Sequence, residues 1–204
     1  MTEAIEPRAM KSIYEGFAGL LDYPGAGWPL LIESCGELLA DGRLEIFAAF
    51  TDFSKGVVTL PLSELQELYT RTFDLSPVCT LDIGYHLFGE NYKRGVFLAN
   101  LRETEAPFDL GQEHQLPDYL PVLLRLSTKL DDQELRSALI VDCMIPALEK
   151  MSRTLSAGEN PYRHLIAAVR ITLQSELGAD LSQHDVRGFK LRASLPVFQP
   201  AEQA

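Results

Sequence analysis

The side chains that most often perform catalysis or bind metals are few and scattered in this sequence. Four histidines lie far apart along the chain: His86, His114, His164 and His184. Three cysteines are equally distant from one another: Cys35, Cys79 and Cys143. No two of these residues have the spacing that two metal ligands on one helix need, and there is no Cys-x-x-Cys pair. The pattern predicts neither a zinc site nor a disulfide framework.

A pair of adjacent carboxylates, Asp131 and Asp132, stands directly before an apolar helical stripe. Such a pair could perform acid–base chemistry, but aspartate is a favoured N-cap and negative charge is stabilised in the first helical turn. We therefore interpret the pair as the start of a helix. Gly25-Ala26-Gly27 is too short for a phosphate-binding loop and follows a helix, not a strand. The sequence thus gives no positive evidence for an enzyme.

Composition and charge narrow the class of protein. The 204 residues are 46% hydrophobic and 23% charged, which is typical of one folded domain with a sizeable core. The net charge of -11 argues against nucleic acid as a partner, because phosphate contacts need clustered Lys and Arg. A basic partner would suit this charge, but many soluble proteins are acidic for solubility alone, and we favour that explanation. The first residues form no signal peptide, and no apolar stretch approaches the length of a membrane span. We expect a cytoplasmic protein without stable membrane insertion.

Apolar residues recur at helical spacing along most of the chain. The clearest stripe comprises Ile13, Tyr14, Phe17, Leu20 and Leu21. Helices are predicted over 13–21, 29–40, 44–53, 61–73, 78–90, 91–104, 116–127, 131–141, 144–155 and 161–173. This pattern predicts an all-α fold, a single globular bundle of about ten helices over residues 8–175, followed by an irregular C-terminal tail at 176–204.

Local details of the bundle can also be predicted. The third helix is expected to turn Leu44, Phe47, Ala48 and Phe50 toward the core. Residues 56–60 are predicted to form an extended connector, because this short apolar run has no partner strand. Asp118 is predicted to cap the helix that begins beside it.

Large aromatic side chains are concentrated between residues 65 and 124. They are Tyr69, Phe73, Tyr85, His86, Phe88, Tyr92 and Phe97. Such residues suit partner-binding grooves, because they combine apolar area with hydrogen-bonding ends. The alternative is that they form the core, and for Phe73, Phe88 and Phe97 we favour the core.

Three segments of this region resemble one known family. They are residues 65–75 (LQELYTRTFDL), 85–95 (YHLFGENYKRG) and 116–121 (LPDYLP). Their order and spacing are similar to those of the NarJ-type chaperones, the assembly factors of respiratory nitrate reductase. The likeness is firm over residues 60–130, weaker in the flanking helices and absent from the tail.

The resemblance implies an all-α cytoplasmic chaperone with no catalytic residues, metal or cofactor of its own. Such a protein binds the catalytic subunit of the enzyme, chiefly at its N-terminal segment, and holds it until the molybdenum cofactor is inserted. The broader family of molybdoenzyme chaperones carries a Pro-x-Asp-His-like element before a helix. Pro117, Asp118 and Tyr119 look like its counterpart, with Tyr119 where histidine is common.

We predict a client groove between the helices that contain Tyr69 and Leu120. The predicted client-binding residues are Tyr69, Phe73, Asp74, Tyr85, His86, Arg94, Pro117, Asp118 and Tyr119. The expected partner is the apo catalytic subunit of a molybdoenzyme, and the chain could also form a homodimer.

Three alternatives stay open from the sequence. The client could be a related molybdoenzyme, such as a dimethyl sulfoxide, selenate or ethylbenzene-type oxidoreductase. Lys93, Arg94 and Arg102 could instead form a small basic pocket for molybdopterin or a nucleotide. A purely structural adaptor would differ from a chaperone in staying with the mature complex.

Overall fold

The computed structural model describes residues 7–40, 42–75, 79–112 and 114–180. Within these ranges the chain forms ten α-helices: α1 (Pro7–Leu21), α2 (Trp28–Ala40), α3 (Leu44–Val57), α4 (Leu62–Tyr69), α5 (Ile83–Phe88), α6 (Tyr92–Glu105), α7 (Leu120–Ser127), α8 (Gln133–Ala138), α9 (Ile145–Leu155) and α10 (Tyr162–Asp180). Two π-helical segments continue them, Thr70–Asp74 after α4 and Leu139–Met144 between α8 and α9. The all-α prediction is confirmed, since the described ranges contain an isolated β-bridge but no strand.

Capping side chains explain where two of the helices begin. Asp132 caps α8, because its carboxylate accepts the backbone N–H groups of Glu134 and Leu135, both at 3.0 Å. Asn91 caps α6 in the same way. A cap of this kind stabilises a helix by about 0.5 to 2 kcal/mol. The interpretation of the carboxylate pair as a helix start is therefore confirmed.

The short helix α7 lies at the centre of the core. Its side chains Leu120, Val122, Leu123, Leu124 and Leu126 have no exposed surface. Each contributes about 1.5 to 3 kcal/mol by leaving water. α1 packs along α7, and every residue of the predicted α1 stripe is at most 3% exposed, which confirms that stripe.

A cluster of aromatic rings joins α3, α4 and α10. The ring of Tyr162, at the start of α10, is fully buried. Its centroid lies 5.5 Å from that of Phe53, 4.8 Å from that of Phe73 and 6.1 Å from that of Tyr69. Contacts of this kind add about 0.5 to 1.5 kcal/mol each beyond the buried area. Phe73 is therefore a core residue, and Phe97, at 5% exposure, is another.

The third helix faces the core differently from the prediction. Leu44 is 80% exposed and Ala48 is also exposed, whereas Ile46, which was not predicted to do so, faces inward. The inward position of Phe50 is confirmed. The helix also continues through residues 56–57, so the predicted connector begins later than expected. The difference in facing arises because α3 is apolar on more than one face, and spacing alone does not fix which face packs inward.

α10 is longer than predicted. It runs to Asp180, so residues 176–180, which we predicted to begin the tail, are helical. The rest of the predicted tail, residues 181–204, lies outside the described residues. None of the helices in the described part of the chain combines the length and the apolar character needed to cross a bilayer.

Candidate functional site

The backbone just before the second family-like segment pairs with the third segment. An isolated antiparallel bridge joins Asp82, just before α5, to Tyr119, just before α7. Beside it, the N–H of Ile83 donates to the carbonyl oxygen of Asp118 at 2.8 Å. These contacts hold the start of α5 against the start of α7, and we call this region the α5–α7 junction.

Asp118 is the buried centre of the α5–α7 junction. Its side chain has no exposed surface, and its Oδ2 accepts the backbone N–H of Gly84 at 3.0 Å. Gly84 lies in the first turn of α5, so Asp118 caps a helix to which it does not belong. This corrects the prediction that Asp118 caps its own helix, because α7 begins at Leu120 and no side-chain bond caps it.

Asp118 is held in a tight and poorly solvated space. A Cβ on Gly84 would lie 2.6 Å from Oδ2 of Asp118 and 3.0 Å from the ring of Phe97, so this position requires glycine. Burial raises the pKa of Asp118, and the hydrogen bond from Arg94 opposes that rise. The other oxygen, Oδ1, has no hydrogen-bond partner among the described residues. A buried carboxylate is costly, so the arginine beside it is essential to its ionised form.

Arg94 binds two carboxylates across the α5–α7 junction. Its Nε donates to Asp118 Oδ2 at 3.1 Å, and its Nη2 donates to Asp82 Oδ2 at 3.3 Å. The guanidinium also lies over the ring of Tyr85, 5.8 Å from the centroid, at a distance where cation and ring attract. The structure therefore brings the predicted site residues Tyr85, Arg94 and Asp118 together.

The basic pocket that the sequence left open does not assemble among the described residues. Arg94 is engaged by the two carboxylates of the junction, and Arg102 pairs with Glu105 at 2.8 Å. Lys93 is exposed. Because both guanidinium groups are already matched by carboxylates, these residues provide no convergent set of free cations for a phosphate.

Two tyrosine hydroxyls close the groove that we predicted between α4 and α7. The hydroxyls of Tyr69 and Tyr119 lie 2.9 Å apart, and they lie 3.0 and 3.2 Å from the carbonyl oxygen of Leu21 at the end of α1. Tyr69 is 4% exposed and Tyr119 is 8% exposed. In this conformation the contacts of both tyrosines are within the fold.

The remaining predicted site residues differ in exposure. Phe73, His86 and Pro117 are buried, Tyr85 is half-buried and Asp74 is exposed. A buried side chain can support binding by positioning its neighbours, whereas an accessible one can touch a client. We therefore predict that Asp74, Tyr85 and Arg94 contact the client directly. The side chain of Arg94 is 20% exposed.

His86 is fixed by contacts on both sides of α5. Its Nε2 lies 2.7 Å from the carbonyl oxygen of Thr80, so the neutral ring carries its proton on Nε2. Its own carbonyl oxygen accepts a hydrogen bond from Lys150. Burial lowers the pKa of His86, and the charge of Lys150 adds to that effect.

Replacing His86 by glutamine is expected to change how stability depends on pH. In the unfolded chain the imidazole takes up a proton near its ordinary pKa of about 6.5, whereas burial shifts this to lower pH in the folded chain. The unfolded state therefore binds more protons below that pH, and wild type loses stability there relative to His86→Gln. Urea unfolding at about pH 7.5 and about pH 5.5 measures the free energy of unfolding of both proteins. If the free energies of unfolding of wild type and His86→Gln changed by the same amount between these two pH values, the prediction would be wrong.

An open cleft adjoins the buried tyrosine pair. It has a volume of about 360 Å³, and we call it the Tyr23 cleft; it is lined by Tyr23, Ser63, Gln66, Glu67, Thr70, Arg71 and Leu75. Tyr23 is 55% exposed, and its ring meets that of Tyr69 edge to face at 5.5 Å. Leu75 is 74% exposed and follows Asp74 directly. Sequence reasoning missed this surface, although an aromatic residue beside a proline in a predicted loop was a signal for it.

Comparison with known proteins confirms the resemblance to NarJ-type chaperones. The chain is 24% identical to the probable nitrate reductase molybdenum cofactor assembly chaperone NarJ of Bacillus subtilis (strain 168) over 164 residues, which cover 79% of this chain and 88% of that protein. It is 26% identical to the probable nitrate reductase molybdenum cofactor assembly chaperone NarW of Escherichia coli (strain K12) over 159 residues, which cover 74% of this chain and 68% of that protein. No protein-family model matches the chain.

Proposed function

We propose that this chain is a system-specific assembly chaperone without a catalytic centre. It binds the catalytic subunit of a respiratory nitrate reductase in the cytoplasm, chiefly at the N-terminal segment, and holds it while the molybdenum cofactor is inserted. The observation that carries this proposal is the similarity to two nitrate reductase molybdenum cofactor assembly chaperones over roughly three quarters of the chain.

The packing of the family-like segments supports the proposal. The first segment contacts the third through the hydroxyls of Tyr69 and Tyr119, and the second contacts the third through Arg94 and Asp118 at the α5–α7 junction. Buried residues of these segments form a rigid base: Tyr69, Phe73, His86, Pro117, Asp118 and Tyr119. A rigid base lowers the ordering cost on the chaperone side when a flexible segment binds. The accessible residues on that base are the ones we assign to client contact.

We assign the client segment to the Tyr23 cleft and the surface beside it. Tyr23 and Leu75 supply exposed apolar area there, and Asp74 supplies a carboxylate for a basic client residue. Three or four anchors would contribute about 1.5 to 3 kcal/mol each, and ordering the segment would remove about 2 to 5 kcal/mol. The upper end of this difference, about 8 to 10 kcal/mol, corresponds to a dissociation constant of about 1 μM or lower, which allows release after maturation.

The proposal is tested by capture of the client. Immobilised chain is mixed with the catalytic subunit of a respiratory nitrate reductase from the same organism, in cofactor-free and cofactor-loaded forms. Capture of the cofactor-free form alone, lost when its N-terminal segment is removed, is the expected result. Absence of capture would contradict the chaperone role, and equal capture of the truncated subunit would contradict the assignment of the N-terminal segment. The catalytic subunit of a related molybdoenzyme is tested in parallel. If only that subunit were captured, the client would be the related enzyme and not nitrate reductase.

A further inference from the structure

A second surface depression lies between α2 and α3, away from the family-like segments. It has a volume of about 430 Å³, within the range of ligand-binding sites. We call it the α2–α3 groove; it is lined by Ile32, Glu33, Gly36, Glu37, Ala40, Phe47, Phe50, Thr51, Ser54, Lys55 and Val58. None of these residues belongs to the predicted client site.

The α2–α3 groove exists because α3 is apolar on two faces. One face packs against α10, where the ring of Phe53 lies 5.5 Å from that of Tyr162. The other face carries the partly buried Phe47 and leads to Val58, which is 63% exposed just after the helix ends. Within the described residues no helix covers this second face. Apolar area is thus left in water that a partner could cover.

The side of the groove that α2 forms, the α2 wall, carries small residues. Gly36 and Ala40 lie one helical turn apart, and neither carries a side chain larger than a methyl group. A Cβ at Gly36 would meet only the ring of Phe50, at 3.6 Å. Small residues on such a wall allow the backbone of a partner helix to approach closely.

The charges at the rim select the kind of partner. Glu33 and Glu37 are exposed one turn apart on α2, and neither has an ion pair or hydrogen bond among the described residues. On α3, Lys55 is already matched by Asp52 at 3.7 Å. The rim is therefore net negative, as is the whole chain at -11. A second copy of this chain would be repelled, and a basic partner would be attracted.

We propose that the α2–α3 groove binds an amphipathic helix whose apolar face covers Phe47 and Val58 and whose Lys or Arg side chains reach Glu33 and Glu37. The α2 wall from Ile32 to Ala40 extends over about 12 Å, which matches roughly two turns of a docked helix. Basic residues four apart on that helix lie about 6 Å from each other, the same spacing as the two glutamates. The helix belongs to the client subunit, and in that respect the inference rests on the proposed function.

A synthetic helix tests the groove without the client. The probe is a fluorescein-labelled peptide of about three turns, with leucines on one face and lysines four residues apart at its edge; a matched peptide carries glutamates in place of the lysines. Fluorescence anisotropy with the full chain is expected to show binding of the lysine peptide and about tenfold or more weaker binding of the glutamate peptide. Equal binding of the two peptides would overturn the charge selection.

Variants of the chain locate the bound peptide. The double variant Glu33→Lys with Glu37→Lys is expected to bind the lysine peptide at least about tenfold more weakly than wild type does. The control, Glu103→Lys with Glu159→Lys, makes the same change in net charge at two other exposed positions and is expected to bind like wild type. Gly36→Leu fills the groove and should abolish binding, whereas Gly36→Ala only contacts the Phe50 ring and should preserve it. Equal binding by both double variants, or by both Gly36 variants, would overturn the proposal.

Client capture with the same variants separates this inference from the proposed function. Capture of the catalytic subunit by wild type, weakened by the Glu33/Glu37 variant and not by the control, is the expected result. Capture that is equal for both double variants would overturn the inference and leave the chaperone role intact. Failure of wild type to capture the subunit would instead contradict the chaperone role itself.

Discussion

Replacing Asp118 by alanine is expected to lower the free energy of unfolding by about 2 to 3 kcal/mol, because it leaves buried groups without their partner. The N–H of Gly84 would lose its acceptor, and Arg94 would lose one of its two carboxylates. Arg94 keeps the contact with Asp82, so the expected loss is at or below the lower end for breaking a buried pair. Urea unfolding followed by circular dichroism measures the change.

Asp82 supplies the matched control for this experiment. Its side chain is 29% exposed and pairs with the same arginine, so Asp82→Ala is expected to cost less than about 1 kcal/mol. Asp118→Asn keeps an acceptor for the Gly84 N–H, so its loss of stability should lie between those of Asp118→Ala and Asp82→Ala. If Asp118→Ala cost no more than Asp82→Ala, the α5–α7 junction would not depend on the buried carboxylate.

Replacing Phe73 by alanine is expected to lower the free energy of unfolding by about 3 to 5 kcal/mol. Phe73 is 3% exposed, and its ring centroid lies 4.8 Å from that of Tyr162 and 5.1 Å from that of Tyr69. Truncation would leave a cavity inside the aromatic cluster that joins α4 to α10. Urea and thermal unfolding both report this loss.

Tyr85 is the matched aromatic outside the core. It is half-buried and lies beneath the guanidinium of Arg94, so Tyr85→Ala should cost about 1 kcal/mol or less while weakening client capture. The opposite pattern would be decisive. If Phe73→Ala kept full stability and lost client binding, Phe73 would be a client contact, as its place among the predicted client-binding residues implies.

The helices and their caps could be predicted because they depend on neighbours in sequence. The α1 stripe repeats at offsets that only a helix places on one face, and every member is buried. Asp132 was recognisable as a cap because the backbone N–H groups that donate to it lie two and three residues ahead. Such local signals carry the all-α class without any knowledge of tertiary contacts.

The inward face of α3 could not be predicted, because that helix is apolar on two faces. Ile46 and Leu44 are both large apolar residues near its start, yet one is 1% exposed and the other 80% exposed. The packing of α10 against α3 makes the choice, and α10 lies far away in the sequence. The error coincides with the α2–α3 groove, where the second apolar face is left uncovered.

The role of Asp118 depends on contacts that no local pattern contains. Its partners Gly84 and Arg94 lie in α5 and α6, so the sequence around Asp118 shows only an aspartate before a helix. The local pattern therefore predicted that Asp118 caps α7, whereas in the fold it caps α5. The crowding of aromatics around Tyr69 was ambiguous for the same reason, because the rings that bury it come from distant helices.

Calorimetric titration of the chain with a peptide from the N-terminus of the nitrate reductase catalytic subunit tests the chaperone role most directly. Binding at one site with a dissociation constant of about 1 μM or lower is the predicted result. It should weaken as salt concentration rises, because the proposed contacts include the carboxylate of Asp74. Absence of binding heat at several temperatures, together with unchanged anisotropy of the labelled peptide, would contradict the proposed function.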